Sequence, residues 1–382
     1  MTLPNIWLLV IGVLLITPNA LCQTADDCCD DKLTLTGDFR FRAEHDWNSM
    51  KADGTMRSDR SRLRYRLRFG FNYQYNEWAS FGARVRTGNL KDQQGPHVTL
   101  GGNSGEFSLT QIGVEKAFFK ASKNGFEGWI GKNTFPFMKQ NELFWNDNVF
   151  PEGVAVKVPI PLQTAISEDL ALKASHFVIR HNNQLFKDDA FMQGIQLTGL
   201  KVNRFQMAMA WYHFVNVPNI PDQQGTYLID YDIFHLYLQY ALPIKTPVTL
   251  GFDYYENFND LQEVDSITTM FANQGSGYVG TIKVGQLKEK GDWAVHLYLA
   301  HIERYAIVDY FAQNDWARWD YSSENATGSA LSNFKGFELR VGYAFGKKFN
   351  LIFRGYWTER LKSETAFKEN GSRVRLDLNI GF

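Results

Sequence analysis

Polar and apolar residues alternate along most of this chain. In residues 62–75, RLRYRLRFGFNYQY, arginines stand at Arg62, Arg64, Arg66 and Arg68, and Leu63, Tyr65, Leu67, Phe69, Phe71, Tyr73 and Tyr75 fill the gaps. Successive side chains of a β-strand point to opposite faces, so the stretch reads as one strand with a guanidinium face and an unbroken greasy, aromatic face. A water-exposed sheet seldom carries a single-sign ladder without counter-charges, and the pattern suits a wall between oil and water. The same alternation predicts about sixteen strands, most of them about 10–13 residues long, against the roughly 9–11 that a tilted transmembrane strand needs.

The expected strands cover 33–44, 62–75, 79–87, 107–121, 126–133, 153–160, 170–181, 190–201, 204–214, 231–242, 248–256, 277–287, 292–303, 334–345, 349–360 and 372–382. Alternation is clean in the first three and last three and blurs between Gln111 and His181. Short links such as Asn76-Glu77, Lys123-Asn124-Gly125 and Gly346-Lys347-Lys348 alternate with long polar ones at 45–61, 88–106, 134–152 and 305–333. Outer-membrane barrels have this asymmetry of tight periplasmic turns and long external loops, and an even strand count puts both termini on the turn side. Tyr73, Tyr75, Trp293, Tyr343, Phe345 and Phe349 are expected to form an aromatic girdle near the short turns.

The expected fold is therefore all-β: an antiparallel up-and-down transmembrane barrel over residues 32–382. Beyond residue 22 no apolar run approaches the roughly 18 residues of a membrane-spanning helix, so a crossing has to be made by a closed barrel. Residues 6–16, IWLLVIGVLLI, followed by Pro18 and Ala20-Leu21-Cys22, have the shape of a secretory signal peptide cleaved before Gln23, although the leader MTLPN lacks Lys and Arg. Leu21 is large for a lipoprotein site at Cys22. Residues 23–31 form an acidic tail holding Cys28 and Cys29, read as two thiols or as a strained vicinal disulfide.

A formal net charge of −1 argues against nucleic acid as a partner, because the arginines are offset elsewhere. No zinc-ligand spacing, HExxH or GxSxG stands in the chain, and the histidines are scattered over separate strands. Neither enzyme chemistry nor a cofactor is expected. The last strand, SRVRLDLNIGF, ends on Phe382 and resembles the signal by which Gram-negative outer-membrane proteins are assembled. Lipid and the barrel assembly machinery are thus expected partners, and a homo-oligomer is left open.

Several blocks, in order, resemble the bacterial putative porin family: RLRYRLRFGFNYQYNEWASFGARVRTGN, GWIGKNTFPF, ELFWNDNVFPEGVAV, GYVGTIKVGQLKEKGDWAVHLYLAHIERYAIVD, KGFELRVGYAFGKKFNLIFRGYW and RLDLNIGF. The resemblance implies an outer-membrane β-barrel channel. Departures fall in the long loops: Thr134-Phe135-Pro136-Phe137 stands where the family tends to read NPF, Trp145-Asn146-Asp147 where it reads Trp-Asp, and Asn314-Asp315-Trp316 replaces a more acidic motif. A more distant similarity to alginate-export barrels rests on the same arginine-rich strands.

On closure, the last strand and the first three become neighbours. Their inward faces collect Arg40, Arg42, Arg62, Arg64, Arg66, Arg68, Arg84, Arg86, Arg373 and Arg375 against Asp38, Glu44 and Asp377. Guanidinium stays charged and binds carboxylate or phosphate in a fork, so such a wall makes a track for anions. The other reading is that the wall holds a folded-in loop, with Glu142, Asp147 and Glu152 as partners; the two are compatible, since together they make a constriction. Inward-facing Tyr212, Tyr237 and Tyr356 suit either a sugar slide or packing. The function expected is passive diffusion of small polar or anionic solutes. The alternatives are export of an anionic polysaccharide, or a loop-based enzyme or adhesin on a plugged barrel.

Overall fold

In strand β2 (Arg60–Gln74), Leu63, Leu67, Phe69, Phe71 and Tyr73 lie exposed on the outer surface while Arg66, Arg68 and Gly70 are buried on the inner one. Local alternation is thereby converted into an apolar outside and a charged inside. The computed structural model describes residues 32–102, 106–162, 167–182, 185–219, 227–316 and 332–382. The signal-peptide reading, the acidic tail, Cys28 and Cys29 lie outside the described residues.

The other strands are β1 (Leu33–Met50), β3 (Ala79–Thr87), β4 (Val98–Thr99), β5 (Ile112–Lys123), β6 (Phe126–Lys132), β7 (Glu152–Pro159), β8 (Ser167–Arg180), β9 (Ala190–Val202), β10 (Phe205–Pro218), β11 (Leu228–Ala241), β12 (Val248–Asn257), β13 (Ser276–Gly285), β14 (Trp293–Ile302), β15 (Phe334–Gly346), β16 (Phe349–Arg360) and β17 (Asn370–Gly381). Each wall strand pairs antiparallel with its neighbours in sequence, and β1 pairs with β17. The result is a closed antiparallel barrel of 16 strands, as the alternation predicted. Closure leaves no edge whose backbone groups would lack partners in a membrane. Gly37 and Phe382 complete the seam by exchanging two backbone hydrogen bonds of 3.0 Å.

The two-residue β4 is an addition to the wall. Strand β3 ends at Thr87, opposite the middle of β2, and β4 supplies partners for Arg64 and Tyr65 above it. Several strand borders differ from the expected ones, two of them by five residues or more. β1 runs on to Met50, because Asp46 faces Arg60 on one side and Arg373 on the other. β5 begins at Ile112, since Phe107, at φ 53, leaves the extended conformation. The tight turn Asn124-Gly125 joins β5 to β6 with both residues at positive φ, as a two-residue hairpin requires.

Trp293 and Tyr343 are directly paired across β14 and β15, and the Tyr343, Phe345 and Phe349 rings lie 5.2 Å apart in succession at the same end. These are outward rings beside the short turns, where the girdle was expected. Among the described residues no helix is long and apolar enough to cross a membrane.

Candidate functional site: a loop-filled lumen with an arginine wall

The inner surface has two unlike halves. From β9 to β14 the inward positions include Met192, Ala208, Ala210, Tyr212, Phe214, Ile233, Tyr255, Val279 and Tyr298, all buried. From β15 through β17 to β2 they include Glu338, Arg340, Arg354, Arg373, Arg375, Asp377, Arg40, Arg42 and the arginines of β2. An apolar face inside a water-filled cylinder needs cover, and the long loop 133–151 supplies it. Its Phe135, Phe137, Leu143, Phe144, Trp145 and Val149 form one buried cluster with that half. Phe144 stacks 4.8 Å from Tyr212 and 5.2 Å from Tyr255. At roughly 25 cal/mol per Å² of apolar surface removed from water, burying these large rings holds the loop inside the barrel.

Polar contacts fix the loop's position. Gln140 Nε2 donates to the carbonyls of Leu238 and Phe252 at 2.6 and 3.1 Å, and Asn141 Nδ2 donates to Asp253 Oδ2 at 2.6 Å. His235 Nε2 lies 3.0 Å from the other oxygen of Asp253, so this wholly buried carboxylate is satisfied from both sides.

Two further loops enter the lumen. In 303–316, Phe311 stacks 4.6 Å from Trp145, and Gln313 meets Glu142 through its backbone N–H at 2.9 Å and its amide at 3.0 Å. Trp316 is buried against Phe334 and Tyr356. In 88–97, Gln94 Nε2 donates to the carbonyls of Tyr310 and Ala312 at 2.9 and 2.8 Å, while its oxygen accepts from Asn146 Nδ2 at 2.6 Å. Three loops thus meet at Gln94 and Asn146. Tyr212 and Tyr356 do face inward, but they are covered by these loops, as Tyr237 is buried; none of the three presents a stacking face to the lumen. That removes the sugar-slide reading.

Between the loops and the charged half remains a cavity of about 510 Å³. Of the ten arginines singled out from the sequence, Arg40, Arg42, Arg62, Arg64, Arg66, Arg68, Arg373 and Arg375 line it. Arg84 and Arg86 do not. Arg84 Nε donates to Glu115 at 2.7 Å and its guanidinium lies over the Phe150 ring; Arg86 donates to the carbonyls of Thr87, Asn89, Asp92 and Gly95, caging the 88–97 loop. Their partners belong to loop backbone and a neighbouring strand, which alternation within β3 cannot reveal.

Two lining arginines escaped sequence reasoning, Arg340 on β15 and Arg354 on β16. Both sit at inward places in alternating segments, and continuing around the closed seam by two more strands would have found them. Of the carboxylates expected on the inserted loop, Glu142 lies 3.7 Å from Arg354 and 3.9 Å from Arg340. Burial alone would push its carboxyl up, but those two guanidiniums outweigh that and hold it below the ordinary glutamate range. Asp147 also lines the cavity, largely exposed and paired with Lys139 at 2.5 Å. Glu152 stands apart: it opens β7 directly opposite Lys132, bonds that lysine at 2.7 Å and is absent from the lining, because its strand position turns it from the lumen. Asp315, which the sequence reading did not select, takes its place, clamped by Arg373 Nη1 at 2.8 Å and by Arg375.

Charge is distributed unevenly in depth. Ten arginines and five carboxylates line the cavity. Further carboxylates that bond these arginines, Glu44, Glu115 and Glu338, have side chains at most 1% exposed, whereas Arg40, Arg62 and Arg340 remain 21–24% exposed. On the barrel wall, then, guanidinium stands in front of carboxylate; the exposed carboxylates of the lining, Asp92 and Asp147, belong to the inserted loops. His97 adds no charge: burial, then Arg42 and Arg40, hold its imidazole well below the ordinary value. Among the described residues no group of three or more His, Cys, Asp or Glu could hold a metal.

The closed antiparallel barrel of 16 strands is the feature this chain shares with similar solved structures. Residues 46–229 fit the family model described as Putative porin. The resemblance to the putative porin family is thereby shown. Similar folds include Salmonella typhi OmpF in complex with daunomycin, 12% identical with a TM-score of 0.51, covering 92% of this chain and 97% of that one. A triple mutant of the Rhodopseudomonas blastica porin is 13% identical with a TM-score of 0.51, covering 92% of this chain and 100% of that one. At such identities the likeness speaks for the fold. No curated protein matches. The match to the putative porin model and the barrel together indicate a Gram-negative outer-membrane protein and suggest a channel.

Proposed function

We propose that this protein is an outer-membrane porin whose aqueous passage, bounded by the arginine wall and the three inserted loops, passes small polar solutes and favours anionic ones. The observation that carries the reading is the depth ordering of charge on the barrel wall: accessible guanidinium in front and buried carboxylate behind. Guanidinium is protonated at every relevant pH, so the wall stays positive toward solutes, and a charged lining in a narrow passage sets ion preference. A clamped, loop-filled lumen with a cavity of about 510 Å³ favours small solutes over a polysaccharide.

Planar-bilayer recording tests this. Discrete conductance steps are expected, with a reversal potential under a salt gradient that reports anion preference. Arg64→Glu with Arg66→Glu should shift preference toward cations while the barrel still assembles. Absence of conductance would leave only the loop-based readings, and an unchanged preference would assign both residues to structural pairing.

A further inference from the structure

Arg373 and Arg375 stand two residues apart on β17, so both point into the lumen from one face of one strand. Their outer nitrogens converge on a single carboxylate: Arg373 Nη1 bonds Asp315 Oδ1 at 2.8 Å, and Arg375 Nη1 bonds Asp315 Oδ2. Each guanidinium is aimed by a second set of acids behind it. Arg373 Nη2 lies 2.8 Å from Glu44 and its Nε 3.2 Å from Asp46, while Arg375 Nε lies 3.2 Å from Asp377. The pair is therefore held in place by the wall, independently of Asp315. All three residues line the aqueous cavity. Asp315 comes from elsewhere, on the inserted loop 303–316, whose Gln313 also reaches its carboxylate at 3.0 Å.

We infer that Arg373 and Arg375 form a carboxylate-binding site opening on the passage, that Asp315 fills it as a tethered stand-in, and that the solute chemistry recognised there is the carboxylate group. The inference rests on the porin reading for its biological sense but not for its test. One planar anion with an oxygen on each arginine is what two parallel donors select. The tether also answers a requirement of conduction, that a solute be held weakly enough to leave. With Asp315 competing, carboxylates pass the wall without lodging; with it removed, they lodge. Burial alone would raise the Asp315 carboxyl, and Arg375 and Arg373 outweigh it to hold the group well below its ordinary value, so the stand-in remains an anion.

The test is rescue by formate, which replaces the group deleted in Asp315→Ala. Thermal unfolding of the full chain in detergent is followed against sodium formate, with sodium chloride balancing ionic strength. Asp315→Ala should show a saturable rise in Tm, half-maximal at a formate concentration at least about tenfold lower than any response of the parent protein. Asp315→Ser likewise removes the carboxylate and leaves its space, and serves if the alanine variant does not fold; formate should stabilise it too. In bilayers, formate should block Asp315→Ala current where it passes through the parent. A formate response equal to that of chloride in a folded variant overturns the inference and leaves Asp315 a structural latch. Formate binding by a protein that never conducts would sink the porin reading and keep the site.

Discussion

Gly251 on β12 and Gln140 on the inserted loop share one space: a Cβ built on Gly251 would lie 1.6 Å from Gln140 Oε1 and 2.4 Å from Thr281 Oγ1. The missing side chain is what lets the loop reach the wall and donate to the Leu238 and Phe252 carbonyls beside it. Gly251→Val should therefore expel the Gln140 amide and loosen the loop. Overpacking of this kind costs about 1–3 kcal/mol. The expected outcome is a lower Tm together with a larger and noisier single-channel conductance. An unchanged conductance would show that the loop does not bound the passage.

Glu142 is the carboxylate by which the inserted loop faces Arg340 and Arg354. Replacing it with Gln keeps the size and the contact with Gln313 while removing one negative charge. The anion-to-cation permeability ratio should rise on the order of twofold, the direction set by Coulomb's law in a site of reduced dielectric. Reversal potentials measured at one salt gradient for both proteins decide it, and a fall in the ratio would refute the assignment.

Gln94 carries the junction of three loops through three hydrogen bonds. Gln94→Ala removes three hydrogen bonds and leaves the Ala312 carbonyl and the Asn146 amide short of a partner, at about 1–3 kcal/mol for each buried group left unsatisfied. Greater current fluctuation at unchanged barrel content by circular dichroism is expected. Quiet current in the variant would mean that the apolar cluster alone holds the loops.

Asp309, on loop 303–316, has its carboxyl pushed up from 3.8 to about 7 by burial, with Arg304 opposing. The folded state then holds the proton more tightly than the unfolded chain. Its contribution is fully present below about pH 4 and is lost as pH rises toward 7. Arg304, on the same loop, faces it and stays charged throughout that window. Asp309→Asn should flatten the fall in Tm between pH 4 and 7, and a slope identical to that of the parent would discard Asp309 as its source.

The barrel was legible in the sequence because a strand's two-residue period is local: Leu63, Leu67 and Phe69 face out and Arg66 and Arg68 face in, whatever their neighbours do. Closure at β1 and β17 followed from strand order, and the girdle place of Trp293 and Tyr343 from alternation, whereas their direct pairing is a matter of register that strand order does not give. Inwardness alone, however, does not say what a side chain meets. Arg66 lines a cavity and Arg86 cages a loop, although both stand on alternating strands, because the difference lies in residues 88–97 folding back over one of them. Asp315 rather than Glu152 reached the wall for the same reason. Periodicity of the chain decided which solvent each face meets; only the tertiary structure decided which loops fill the lumen, since that depends on contacts between segments far apart in sequence.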